Sequence, residues 1–209
     1  ENPAVLVGDD ERERLRGSPV PVRIFNCYDR CGTETLGARR RAAELAAFFG
    51  AEGMKYNFGR DAGRHEEYVR NVRAWRAVLP ADFRFLCECH GGTTMQDPAE
   101  AVGTFARLGG RGYEVIIHGF GGDEGKVRDA FRLHGERITH VHANLSSEGP
   151  MPEDRVRSRI ALLREAGFRG SFTIEFTEGV GTDGENPEDL FASAARDAQL
   201  LRRCLAAED

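Results

Sequence analysis

Apolar positions along this chain alternate between two rhythms. Short runs rich in β-branched and aromatic residues occur at Val22 to Cys27, Met54 to Phe58, Phe83 to Cys89, Tyr113 to His118, Ile138 to His142 and Ser171 to Phe176, and they read as strands. Between them apolar residues recur at helical spacing. Ala42, Leu45, Ala46 and Phe49 make one stripe, Tyr68, Val72, Trp75 and Leu79 a second, and Val127, Ala130, Phe131 and His134 a third. Val156, Ile160 and Leu163 continue the series, with Gly167 placed to end that helix in a left-handed cap. The last helix is expected to open on Asn186 as N-cap and Pro187, then to run through Phe191, Ala194, Ala195, Ala198 and Leu201. Strand starts lie about 30 residues apart, the length of one βα unit. The pattern therefore predicts an α/β fold with a parallel sheet, and no linker or low-complexity tract divides it, so a single domain over residues 1–209 is expected.

Composition narrows the function. With 40% hydrophobic and 30% charged residues, and no apolar run of the roughly 18 residues a membrane span needs, the chain reads as globular and not membrane-spanning. Its 29 basic and 34 acidic residues leave a net charge of -5, which offers no positive field to a nucleic acid. Five cysteines without disulfide-type spacing suit reduced thiols in the cytoplasm.

Chemistry-bearing residues recur at the C-terminal ends of four successive strands: Glu88 with His90, then His118, then His142 with Asn144, then Glu175. In parallel βα architectures these ends converge on one pocket. A carboxylate within Phe85-Leu86-Cys87-Glu88 or Phe172-Thr173-Ile174-Glu175 is costly to bury unpaired, and a divalent cation is one compensation. Glu88, His142 and Glu175 are expected to share one divalent ion, with Mn, Zn, Co or Mg all compatible with the donor types. His118 follows Val115-Ile116-Ile117 and reads equally as a fourth ligand or a satisfied core histidine. His90, two residues after Glu88, is expected to bind a substrate hydroxyl or to orient the glutamate, and Asn144 to contact substrate.

Three segments carry a resemblance: Cys-Glu-Cys-His-Gly-Gly-Thr from Cys87 to Thr93, Val-His-Ala-Asn from Val141 to Asn144, and Gly-Phe-Arg-Gly-Ser-Phe-Thr-Ile-Glu-Phe from Gly167 to Phe176. Together they resemble the later strands of the xylose-isomerase-like TIM-barrel superfamily, whose members are commonly sugar phosphate isomerases or epimerases. The resemblance implies a TIM-type (β/α) barrel with a divalent metal on Glu88, His142 and Glu175, the two glutamates also exchanging protons with substrate. Where the family has an Asp followed closely by a His, this chain reads Ile-Ile-His118-Gly-Phe-Gly-Gly. The six strands match the third through the eighth, with Ala4 to Gly8 a weak further candidate. Either the first βα units are missing from a chain that starts at Glu1, or the barrel is incomplete and its open edge is covered by another chain, as in a homo-oligomer.

The expected activity is isomerisation or epimerisation of a sugar or related small hydroxy-carbonyl compound through an enediolate, with Glu88 and Glu175 as acid and base. A lyase or dehydratase on the same scaffold, and a non-catalytic barrel relic acting as a binding or assembly subunit, are the alternatives. An apurinic endonuclease is disfavoured, because Val22 to Asp29 supplies no histidine for its extra metals.

Other features read as structural. Cys27 with Cys31 and Cys87 with Cys89 are expected to be small buried hydrophobes, Arg39 to Arg41 a solvated helix face, and Gly119, Gly121 and Gly122 a flexible βα loop. Glu178 could replace Glu175 as the acting carboxylate, and His65 and His134 are assigned to the helices.

Overall fold

The computed structural model describes residues 8–110 and 112–206. All six expected strands are present: β1 (Ile24–Arg30), β2 (Gly53–Asn57), β3 (Arg84–Glu88), β4 (Glu114–His118), β5 (Ile138–Ala143) and β6 (Ser171–Ile174). They form one parallel sheet in the order β1 to β6, an incomplete TIM-type (β/α) barrel. In register, Met54 sits opposite both Phe25 and Phe85, and His142 opposite Thr173. The weak strand candidate at Ala4 to Gly8 falls outside the described residues except for Gly8, which caps a helix.

Helices α1 (Asp9–Arg16), α2 (Leu36–Phe48), α3 (His65–Ala77), α4 (Pro98–Leu108), α5 (Glu124–His134), α6 (Glu153–Glu165) and α7 (Pro187–Ala206) accompany the strands. Their starts follow ordinary capping chemistry. Asp97 accepts from the amides of Ala99 and Glu100, Asp123 from Gly125, and Asn186 from Glu188. Gly167, at φ +90°, ends α6 as expected. Helix α1 was not legible, because Leu15 is the one large apolar residue in it and the helix buries nothing. It is held instead by acidic residues in its first turn and by pairs such as Arg12 with Asp9 and Arg16 with Glu13, both at 2.6 Å.

By contact, the chain divides between Val115 and Ile116 into two compact units. In the first, strand residues alternate between an apolar face against the helices and a polar opposite face. Tyr56 stacks on Phe85 with centroids 4.1 Å apart, and Trp75 of α3 meets Phe85 edge-on at 5.3 Å. Lys55 and Asn57 point the other way, since successive residues of a strand face opposite sides. In the second unit Phe168 packs edge-on against Phe172 and Phe131. Here Ser171 and Thr173 occupy the polar face of β6. This outer strand is only four residues long, and a short, alternately polar edge presents little template for unwanted pairing.

Two sequence expectations are corrected. Arg39 is not on a solvated face: it is 3% exposed, and its Nη1 donates to Gly32 O at 2.5 Å and Thr35 Oγ1 at 2.6 Å, closing the turn that leads into α2. In α7 the buried face is Ser193, Asp197, Leu201 and Cys204, whereas Phe191 is 77% exposed. An internal carboxylate with a buried partner rotated the helix away from the face that hydrophobicity alone would choose.

Candidate metal and substrate site

In the second unit, three of the expected residues meet. His142 ends β5 and is buried, His118 ends β4 and is partly exposed, and Glu175 follows β6 directly. Their polar atoms converge on one carboxylate oxygen. Glu175 Oε2 lies 3.1 Å from His142 Nδ1 and 3.5 Å from His118 Nδ1, and the two imidazole rings stand perpendicular with centroids 5.3 Å apart. Yet Glu175 Oε2, buried, has no hydrogen-bond partner among the described residues. Two ring nitrogens thus face one buried carboxylate oxygen without forming a hydrogen bond to it.

His140, which sequence reasoning passed over, lies two residues before His142 and shares its face of β5. Its Nδ1 and Nε2 lie 2.8 Å from Ser171 Oγ and Thr173 Oγ1, so both nitrogens are engaged across the β5–β6 pair. The His140 ring stands edge-on to that of His142 at 5.7 Å. It therefore fixes the strand that carries His142.

In the first unit, Glu88 ends β3 and is fully buried, but its charge is not left uncompensated. Lys55 Nζ donates to Glu88 Oε2 at 2.5 Å, and Asn57 Nδ2 donates to the same oxygen at 3.1 Å. Lys55 is 1% exposed, and its ammonium also sits 4.0 Å from the centroid of the Tyr28 ring. A divalent cation is one compensation for a buried carboxylate, and β2 supplies another, the positive charge of Lys55. A lysine and an asparagine inside the apolar run of β2, at alternate positions, were the available signal.

The remaining candidates fall as follows. His90 lies beyond the end of β3, not on a continuing strand, and its Nδ1 is 2.7 Å from Gly91 O. Asn144 has a buried Oδ1 without a hydrogen-bond partner among the described residues, and lines a cleft of about 410 Å³ with Gly121, Gly122, Ser146 and Glu148, on the loops that follow His118 and His142, and with Arg155 of α6. That volume is in the range of small-molecule sites. Glu178 is turned to Arg196 at 3.0 Å. His65 is engaged by Thr94 and Thr104, and burial holds its pKa below the usual histidine value. Gly119 answers to packing rather than flexibility, since a Cβ there would stand 2.7 Å from Val141 Cγ1. None of the five cysteines forms a disulfide, and burial pushes the Cys89 thiol up to about 12, so Cys89 is not poised as a nucleophile.

The class these observations define is a TIM-type α/β barrel with a histidine and glutamate cluster at its strand ends. No family model and no curated protein matches the chain. Solved structures do, at low identity, and they show the TIM-type barrel fold. A xylose isomerase-like TIM barrel protein from Mycobacterium smegmatis in complex with magnesium superposes with a TM-score of 0.67 at 16% identity, covering 98% of this chain and 81% of that one. A D-psicose 3-epimerase in the presence of D-fructose matches at 0.63 and 15% identity over 96% of this chain and 85% of its own. The probable 3-DHS dehydratase AsbF from Bacillus anthracis gives 0.62 and 15%, covering 91% and 79%. Among the described residues no helix is long and apolar enough to cross a membrane.

Proposed function

We propose that Glu88, His118, His142 and Glu175 hold one divalent cation and that the protein is a metal-dependent isomerase or epimerase of a sugar-like hydroxy-carbonyl compound. The observation that carries this reading is the orphaned Glu175 Oε2 with two imidazole nitrogens turned to it. The donor set fits: two histidines and two glutamates are a group able to hold a metal ion, and nitrogen with carboxylate oxygen suits Mn, Zn, Co or Mg. Solved proteins of the same fold include a magnesium complex and a ketose epimerase.

A bound divalent ion would supply electrostatic stabilisation of the enediolate that forms when a proton leaves the carbon beside the carbonyl. The chain's own residues do the rest. Glu175 and Glu88 are the carboxylates that remove and return that proton. Asn144, its Oδ1 unsatisfied, accepts a substrate hydroxyl in the cleft after β5, and His90 faces substrate from the loop after β3. Free thiols at all five cysteines suit a reducing cytoplasm.

Elemental analysis after reconstitution is expected to find about one divalent ion per chain. Glu175→Gln and His142→Ala should lose it while remaining folded, and unchanged occupancy in both removes the site. A panel of ketoses and inososes incubated in deuterated water should then give one substrate that takes up deuterium beside its carbonyl. Conversion without exchange points instead to hydride transfer, a product lacking one water marks a dehydratase, and a metal-free inert protein marks a binding subunit.

A further inference from the structure

A groove of about 500 Å³ lies between α2 and α3, inside the first unit, and none of its residues belongs to the metal or substrate site proposed above. That volume suits a small molecule. Its wall is apolar: the Trp75 ring with Ala43 and Ala74, and at the rim Leu36 and Val78, which are 45% and 75% exposed. A single exposed aliphatic residue means little, but here two of them border one concavity.

The polar groups in this lining carry an unbalanced positive charge. Arg39 is 3% exposed, and its Nη1 donates only to neutral oxygens, those of Arg30, Gly32 and Thr35. Its guanidinium stands 5.8 Å from the centroid of the Trp75 ring, and among the described residues no carboxylate pairs with it. Arg40, exposed beside it, likewise has no ion-pair partner among the described residues. The carboxylate of the lining, Glu44, is turned to Arg41 at 3.2 Å. Asn71 Nδ2 is committed to Cys31 O at 2.8 Å. Trp75 is 5% exposed, and its Nε1–H finds no acceptor among the described residues. A buried cation without an anion and a buried donor without an acceptor each cost free energy, and one ligand group can offset both.

We propose that this groove binds a small amphipathic carboxylate, such as a medium-chain fatty acid, its alkyl body against Trp75, Ala43 and Ala74 and its carboxylate among Arg39, Arg40 and the indole N–H. An apolar wall alone would suit a neutral lipid equally well. The two uncompensated guanidinium groups select an acid, because hydrogen bonds between guanidinium and carboxylate are among the strong ones. The inference is independent of the metal reading.

The test titrates decanoate, below its micelle concentration, into the full chain, following the emission of Trp75, the chain's single tryptophan, with calorimetry for stoichiometry. One decanoate should bind per chain, saturably, and shift that emission. Decanol, with the same tail and no charge, should bind at least about tenfold more weakly, and so should decanoate to Arg40→Glu. Ala74→Phe, at an exposed helix position, should fill the groove and abolish the calorimetric signal. Absence of saturable binding, equal affinity for decanol, or undiminished binding by either variant overturns the proposal. Concentration-dependent self-association that Val78→Asp removes overturns it as well, since the groove would then seat a second copy of the chain.

Discussion

Ser146→Ala should loosen the loops behind the His118, His142 and Glu175 cluster. Ser146 follows β5 in the loop after His142, is 1% exposed, and makes two hydrogen bonds with one hydroxyl. It donates to Oδ2 of the buried Asp197 in α7, and it accepts from the amide of Glu178 at 3.1 Å, just beyond Glu175. One side chain therefore ties the loops after β5 and β6 to the last helix. A hydrogen bond to a charged group contributes about 1.5–3 kcal/mol net and a neutral one about 0.5–1.5, so losing both should cost about 2–4.5 kcal/mol. At roughly 2–4 °C per kcal/mol for a domain of this size, Tm should fall by about 4–18 °C. Asp197→Ala removes the shared bond, for about 1.5–3 kcal/mol, together with the 3.7 Å ion pair to Arg196 and the volume of the side chain. The double variant loses that bond once, so a urea-unfolding cycle over the four proteins should return a coupling energy of about 1.5–3 kcal/mol. Coupling below about 0.5 kcal/mol, the scatter of independent sites, would refute the idea that this contact pegs the loops.

Three further outcomes follow from the packing and the charges. Gly119→Ala should destabilise by about 1–3 kcal/mol in chemical denaturation, because its Cβ would press on Val141 Cγ1 at 2.7 Å and on Leu163 beyond it. Leu201→Ala should cost about 2–5 kcal/mol, whereas Phe191→Ser, on the same helix but 77% exposed, should change stability by less than about 0.5 kcal/mol. Glu67 should make stability depend on acid: the hydrogen bond from Arg64, then those from Thr33, hold its carboxyl down at about 2, against 4.5 ordinarily. Its contribution is present above the unfolded value and lost as pH falls from about 4.5 toward 2, so Glu67→Gln should flatten that part of the urea-midpoint profile.

The parts of the site differed in how readable they were. Glu88, His118, His142 and Glu175 could be picked out because each is a polar residue closing an apolar run, and the strand-end rule of parallel sheets gives such positions meaning. Lys55 broke the same kind of run yet was not picked out, since a lysine in the middle of a strand has no standard role, and its partner lies one strand away. His140 and Asp197 were hidden for the same reason. Their partners are 31 to 51 residues distant in the chain, so nothing local marks them.

Periodicity by itself determined the order of strands and helices, the capping residues Asn186 and Gly167, and the strand ends at which chemistry collects. Those properties depend on local backbone geometry and on which side of an element is apolar, and both are written in neighbouring residues. Tertiary structure alone decided which face of α7 is buried, why Arg39 is inside, which groups hold Glu88, and which imidazoles face Glu175. A buried charge or unsatisfied oxygen is stabilised by whatever partner the fold brings within about 3 Å, and that distance is set by packing between elements far apart in sequence.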